Sequence, residues 1–153
     1  DPAAEWPACL LAVGGTVIAQ GPGGQRRIDA DAFFTGLYST ALQPDEVLVA
    51  CELPLAGADH WFGFQELARR HGDYAIVGLA ATARRSGAAL HGVRIALMGV
   101  DAVPLRVDAL GQSPVDAVDA RDFLHTSPFQ ARQAAEMLQQ LGPALGADAF
   151  DAL

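Results

Sequence analysis

Six consecutive residues, Arg69-Arg70-His71-Gly72-Asp73-Tyr74, stand out for the chemistry they bring together. Two guanidiniums, an imidazole, a carboxylate and a phenol lie between two apolar runs, with a glycine to turn the backbone. A solvated charged turn uses the same residue types and leaves Tyr74 in water. A ligand loop uses them differently: the Tyr74 ring covers a flat heterocycle, and an arginine steadies its anionic or electron-rich edge. Other reactive groups are scattered. His60, His71, His91 and His125 show no metal-ligand spacing. Ser39, Ser86, Ser113 and Ser127 stand in no nucleophile-elbow context. Cys9 and Cys51 are far apart, and each reads as an isolated thiol rather than half of a disulfide. Gly21-Pro22-Gly23-Gly24 is glycine-rich, but it sits between two strand-like runs with no helix after it. That context predicts a hairpin turn, not a phosphate loop.

The elements that would position these groups follow from pattern and punctuation. Residues 5–13 read as a helix, with Pro7 tolerated in the first turn and Gly14-Gly15 ending it. Residues 16–20 and 25–28 form the arms of a hairpin. Asp29 or Asp31 caps one helical turn running through Phe33-Phe34. Residues 47–53 are a further strand, stopped by Pro54, and a Pro/Gly/Asp linker covers 54–60. Three antiparallel strands are expected next, over 61–68, 74–85 and 93–100, with Ser86-Gly87-Ala88 turning the chain between the last two. The small apolar run 76–83 implies burial on both faces or beneath helices. After Pro104 the chain reads as helical. Ser127-Pro128-Phe129-Gln130 is a helix entry, with Phe129, Ala134, Met137, Leu138 and Leu141 near one face. The predicted fold class is α+β.

About half of the residues are apolar and 18% are charged, a globular composition. The net charge of −8 argues against a nucleic-acid surface. All ten basic residues are Arg, which reads as compositional bias. The sequence shows no membrane-length apolar run and no charged-then-apolar leader, so a cytoplasmic location is the default expectation.

Several segments, in order, resemble the flavin-binding medium subunit of the molybdenum hydroxylases, of the carbon monoxide dehydrogenase and xanthine dehydrogenase type. They are the opening Asp1-Pro2-Ala3-Ala4-Glu5, then Gly21-Pro22-Gly23-Gly24-Gln25-Arg26-Arg27-Ile28 leading to Asp31-Ala32-Phe33-Phe34, and Leu42-Gln43-Pro44-Asp45-Glu46-Val47-Leu48 ending at Leu53-Pro54. The most specific is Phe64-Gln65-Glu66-Leu67-Ala68-Arg69-Arg70-His71-Gly72-Asp73-Tyr74-Ala75-Ile76-Val77-Gly78, followed by Ile95-Ala96-Leu97-Met98-Gly99-Val100 and Pro104. The resemblance covers the first two-thirds of the chain well. The family's "aspartate, arginine, serine, tyrosine-arginine" signature before the last helix is not seen.

The resemblance implies two parts: residues 1–56 as the back of an FAD-binding domain, and residues 57–153 as a small domain of three-stranded antiparallel sheet with helices. It implies FAD as cofactor, with both glycine-rich pyrophosphate loops in a segment ahead of Asp1. Four contacts carry over. Glu5 approaches the flavin at the helix entry, where a carboxylate suits ribityl hydroxyls. Leu48 lines the cofactor site. Gln65 stands where some relatives have Lys, retaining hydrogen bonds without the charge. Tyr74 lies beside the isoalloxazine ring. The implied partners are a molybdenum-binding large subunit, a 2Fe–2S small subunit and the missing N-terminal flavin-binding segment. In this scheme the chain supplies no acid, base or nucleophile. The competing expectation is a non-catalytic assembly or docking module that has lost flavin binding.

Overall fold

The computed structural model describes residues 1–87, 89–108, 133 and 136. The first helix, α1 (Glu5–Val13), carries Pro7 in its first turn and ends at Gly14. There φ reaches +69°, and the N–H groups of Gly14 and Gly15 donate to the carbonyls of Leu11 and Leu10 at 3.2 and 2.9 Å. The glycine pair therefore closes the helix as expected, because the left-handed cap needs a residue without a Cβ.

The chain then builds a three-stranded antiparallel sheet. β1 (Thr16–Gly21) pairs with β2 (Gly24–Asp29) through the Pro22-Gly23 turn, and on its other side with β5 (Val47–Glu52), giving the order β2-β1-β5. Between β2 and β5 lie the single turn α2 (Ala30–Phe33) and a small hairpin of β3 (Phe34–Gly36) and β4 (Ser39–Thr40). Asp29 occupies the cap position of α2, but its carboxylate accepts from the Thr16 hydroxyl at 3.3 Å instead of capping. The β3–β4 hairpin was not foreseen. Its two-residue turn, Leu37-Tyr38, holds no glycine, and Tyr38 takes φ +53° itself.

A second, four-stranded antiparallel sheet follows in meander order: β6 (His60–Ala68), β7 (Ala75–Ser86), β8 (Ala89–Met98) and β9 (Leu105–Asp108). The three expected strands are present. The fourth, β9, lies where the sequence reading placed helix. Its four residues, Leu105-Arg106-Val107-Asp108, carry too little pattern to separate strand from helix, and pairing with Arg94–Leu97 of β8 decides it. The expected helix over 127–141 lies outside the described residues except for Gln133 and Glu136, which are helical and joined by a hydrogen bond of 3.0 Å. Ala88 of the expected 86–88 turn also lies outside them. Among the described residues no helix is long and apolar enough to cross a membrane.

One core spans both sheets. Ala8, Leu10, Leu11 and Ala12 of α1 pack with Val17, Ala19 and Ile28 on one side, and with Ala80, Ala96 and Met98 on the other. The pleat puts Leu79, Ile95 and Leu97, each fully buried, on the opposite face of the second sheet. Two glycines fit close contacts within the second sheet itself. A Cβ on Gly78 would meet the Met98 Cε, and one on Gly99, at φ +75°, would lie 2.5 Å from the Ile76 carbonyl oxygen. Further ties cross from the first half of the chain to the second: the Gly99 N–H donates to Pro2 O at 2.8 Å, and Arg106 pairs with Asp31.

Candidate functional site

The segment 69–74 is a turn organised by Asp73. The Asp73 N–H donates to Arg70 O at 3.1 Å, Gly72 supplies φ +80°, and the Asp73 carboxylate accepts the Tyr74 N–H at 3.0 Å while lying 3.5 Å from Arg70 Nε. The backbone of Tyr74 is thereby held at the mouth of β7 while its ring stands 75% exposed. A tyrosine exposed to this extent contributes little to the core, and its ring face is available to a planar ligand.

Glu5 reaches the same end of the molecule. The Pro2–Gly99 hydrogen bond ties the start of α1 to the end of β8, and Gly99 in turn lies against Ile76, two residues after Tyr74. Glu5 is exposed in the first helical turn, where a carboxylate is favoured by the helix dipole. Its charge also acts on Cys9 one turn later. Burial chiefly, and Glu5 in addition, push the Cys9 thiol up from its ordinary value, which keeps it protonated and unreactive. Cys51 is exposed, and both cysteines are free.

Gln65 stands half-buried on β6, opposite Leu79, so the pleat turns it away from the face that α1 covers. Leu48 lies in the other sheet, on β5, opposite Ala19, and is 45% exposed. The fold therefore brings Glu5 and Tyr74 to one end, sets Gln65 on an edge strand of the same sheet, and leaves Leu48 on a different layer.

The glycine-rich turn makes no anion site. A Cβ on Gly23 or Gly24 would meet nothing within 4 Å, so these glycines serve a hairpin rather than a close-fitting cradle. Acid surrounds it. Glu46 is bound by Arg26 through two contacts of 2.6 and 2.7 Å, and accepts the Gln43 N–H at 2.7 Å. The Arg26 hydrogen bonds first, and the Gln43 N–H second, hold the Glu46 carboxyl at about 2, below the ordinary 4.5. An exposed aromatic ring and a carboxylate are the kind of groups that the ring and polyol of a flavin would use, while the glycine-rich turn offers no cradle for its diphosphate. No group of three potential metal ligands is found among the described residues.

A groove that sequence reasoning did not anticipate opens at the far end of α1. It has a volume of about 790 Å³ and is lined by Val13, Leu53, Phe62, Thr82 and Arg94, among others. Thr82 is eight residues along β7 from Tyr74, roughly 25 Å at strand rise, so groove and Tyr74 turn lie at opposite ends of the sheet. His60 lies there as a structural residue: its Nδ1 accepts the Gly57 N–H at 2.8 Å and its ring stacks on Phe62. The signal available in the sequence was the alternation Phe62-Gly63-Phe64, which puts two exposed phenyl rings on one face of an edge strand.

Residues 1–56 match the family described as FAD binding domain in molybdopterin dehydrogenase. The carbon monoxide dehydrogenase medium chain of Hydrogenophaga pseudoflava is 36% identical over 69% of this chain and 37% of its own length. The nicotine 6-hydroxylase medium subunit of Paenarthrobacter nicotinovorans is 35% identical over 89% of this chain and 45% of its own length. Among solved structures, carbon monoxide dehydrogenase from Hydrogenophaga pseudoflava, in a form lacking the Mo-pyranopterin moiety of the molybdenum cofactor, superimposes with a TM-score of 0.82 at 30% identity. That match covers 97% of this chain and 58% of the other. The chain thus spans less than half the length of these two curated relatives. With the family match over 1–56 and this fold likeness over nearly the whole chain, the chain belongs to the family of FAD-binding medium subunits of molybdenum hydroxylases.

Proposed function

We propose that this chain forms one wall of the FAD site in the flavin subunit of a molybdenum hydroxylase. The observation that carries the reading is the Asp73-centred turn, which fixes the backbone of Tyr74 while leaving its ring 75% exposed at the end of the sheet that Glu5 also reaches. In this reading residues 1–56 belong to the flavin-binding domain and residues 57–153 to the small domain beside it. The Tyr74 ring covers one side of the isoalloxazine and controls access to it. Glu5 accepts hydrogen bonds from ribityl hydroxyls. Gln65 offers a neutral amide to the ring edge, and Leu48 adds apolar surface. FAD, when bound, supplies the redox chemistry that links a molybdenum centre and 2Fe–2S clusters to an external electron acceptor. The chain's own residues orient the ring, exclude water from one face and set the local charge.

The diphosphate is held by a further segment of the subunit, since the one glycine-rich turn described here is open and its Arg26 is engaged by Glu46. The large molybdenum subunit, which selects the substrate, and the small 2Fe–2S subunit complete a cytoplasmic assembly. The test is flavin affinity of the intact flavin subunit, read by fluorescence quenching. Tyr74→Ala is expected to weaken binding by about tenfold, comparable to the loss of one stacking contact, and to leave the far-ultraviolet circular dichroism unchanged. Unchanged affinity in a folded Tyr74→Ala subunit removes Tyr74 from the site.

A further inference from the structure

The helix that carries Glu5 does not cap itself. Ala4 occupies the cap position of α1 and has no side-chain acceptor for the N–H groups of the first turn. The order at this helix entry comes from three residues earlier. The Asp1 carboxylate accepts the Ala3 N–H at 2.9 Å, and the Asp1 carbonyl accepts the Ala4 N–H at 3.1 Å. Pro2 stands between them with a fixed φ and no N–H of its own. Asp followed by Pro is the favoured opening of such a turn. The turn is anchored from outside the helix. Its Pro2 carbonyl accepts the Gly99 N–H at 2.8 Å. Gly99 follows β8, between the buried Met98 and Val100. Its φ of +75° and its bare Cα lay it directly on β7: a Cβ there would lie 2.5 Å from the Ile76 carbonyl oxygen and 3.2 Å from the Val77 Cα. Ile76 is two residues from Tyr74. Backbone thus links Glu5 to Tyr74, through the Asp1–Ala4 turn, Gly99 and Ile76.

We infer that Asp1 is a positioning residue for the flavin site: its carboxylate holds the turn that sets the Glu5 carboxylate against the Tyr74 ring. The inference rests on the reading of Glu5 and Tyr74 as flavin contacts, and adds the residue that registers one to the other. The ribityl chain and the isoalloxazine are one molecule, so the ligand dictates the spacing that the protein must match. An acceptor displaced by about 1 Å falls outside hydrogen-bond range. Asp1 touches no flavin atom in this scheme, because its carboxylate is committed to the Ala3 N–H. It is exposed, so its removal opens no cavity in the core.

The intact flavin subunit tests this through flavin affinity, read by fluorescence quenching, in Asp1→Ala, Asp1→Asn, Glu5→Ala and the double variant Asp1→Ala/Glu5→Ala. Asp1→Ala is expected to weaken flavin binding about tenfold, as for the loss of one hydrogen bond to a charged group, with the melting temperature of the flavin-free subunit unchanged. Asp1→Asn keeps a side-chain oxygen for the Ala3 N–H and is expected to bind within about twofold of the parent. Glu5→Ala is expected to weaken binding at least as much, and the double variant to match it, since a residue that acts through Glu5 has no effect without it. A purely structural role gives losses that add, with a falling melting temperature. That additivity, or parent affinity in Asp1→Ala, overturns the inference. Failure of the flavin reading looks different. Glu5→Ala with parent affinity removes Glu5 from the site and the positioning role with it, whereas a weakened Glu5→Ala beside an unaffected Asp1→Ala keeps Glu5 and sinks Asp1 alone.

Discussion

Strands β5 and β7 are both rich in apolar residues, and they meet opposite environments. Val47-Leu48-Val49-Ala50-Cys51 is exposed throughout, whereas Ala75 to Ala83 of β7 is buried apart from a half-buried Ile76. β7 sits in the middle of its sheet, with β6 and β8 bonded on either side and α1 laid across one face. β5 has one neighbour among the described residues, and all of its own residues are exposed. The difference is not hydrophobicity. β7 is built from Ala and Gly where α1 crosses, which lets the helix approach, and from large side chains where the other face is filled. The larger side chains of β5, Val47, Leu48 and Val49, remain exposed. A covered strand and an uncovered one inside the same chain teach that the first half of this molecule is stabilised from its second half, through α1.

The comparison breaks most visibly at the covered end. Leu97→Ala removes a fully buried side chain and is expected to cost about 2–5 kcal/mol in urea denaturation. A cost below about 1 kcal/mol would mean that β8 is not packed as described. Gly99→Ala comes next, at about 2–3 kcal/mol, from an unfavourable φ of +75° and a Cβ forced to 2.5 Å from the Ile76 carbonyl. Because Gly99 ties down Pro2, this variant should also loosen the start of α1, seen as faster exchange of the amides of residues 8–10.

A smaller effect sharpens the contrast in the first sheet. The Glu46 carboxyl is held at about 2 in the folded chain against 4.5 ordinarily, so the unfolded chain takes up a proton first as pH falls. The Arg26–Glu46 contribution is therefore complete above about 4.5 and is lost progressively as pH falls toward 2. Glu46→Gln is expected to flatten the denaturation midpoint over that window, and an unchanged pH profile would show the pair to be broken in solution. The smallest effect belongs to Tyr74→Ala, expected to change stability by no more than about 0.5 kcal/mol. A larger loss would place the ring in the core and end its assignment to a ligand face.

Much of this architecture was legible without coordinates. The helix over 5–13 follows from its own punctuation, since Gly14-Gly15 can cap and little else there could. The Pro22-Gly23 hairpin and the three long strands of the second sheet follow from alternation and turn chemistry. The short pieces were not legible. Leu105–Asp108 is a strand because β8 offers it a free edge, and Phe34–Thr40 is a hairpin because Tyr38 accepts a left-handed backbone. Both outcomes depend on neighbours rather than on local pattern. Of the four flavin contacts implied by resemblance, the placement of Tyr74 in an exposed turn follows from Arg69-Arg70-His71-Gly72-Asp73, whereas the layer on which each of Glu5, Gln65 and Leu48 falls does not follow from residue type.

The sequence by itself determined the periodicities, the glycine caps and turns, and the family signature, because these depend on residues within a few positions of one another. Only the tertiary structure decided that α1 joins the two sheets through a single core, that Glu5 and Tyr74 share an end while Leu48 lies on another layer, and that β5 is left bare. Those outcomes rest on contacts between residues distant along the chain, such as Pro2 with Gly99 and Asp31 with Arg106, whose partners no local pattern can name.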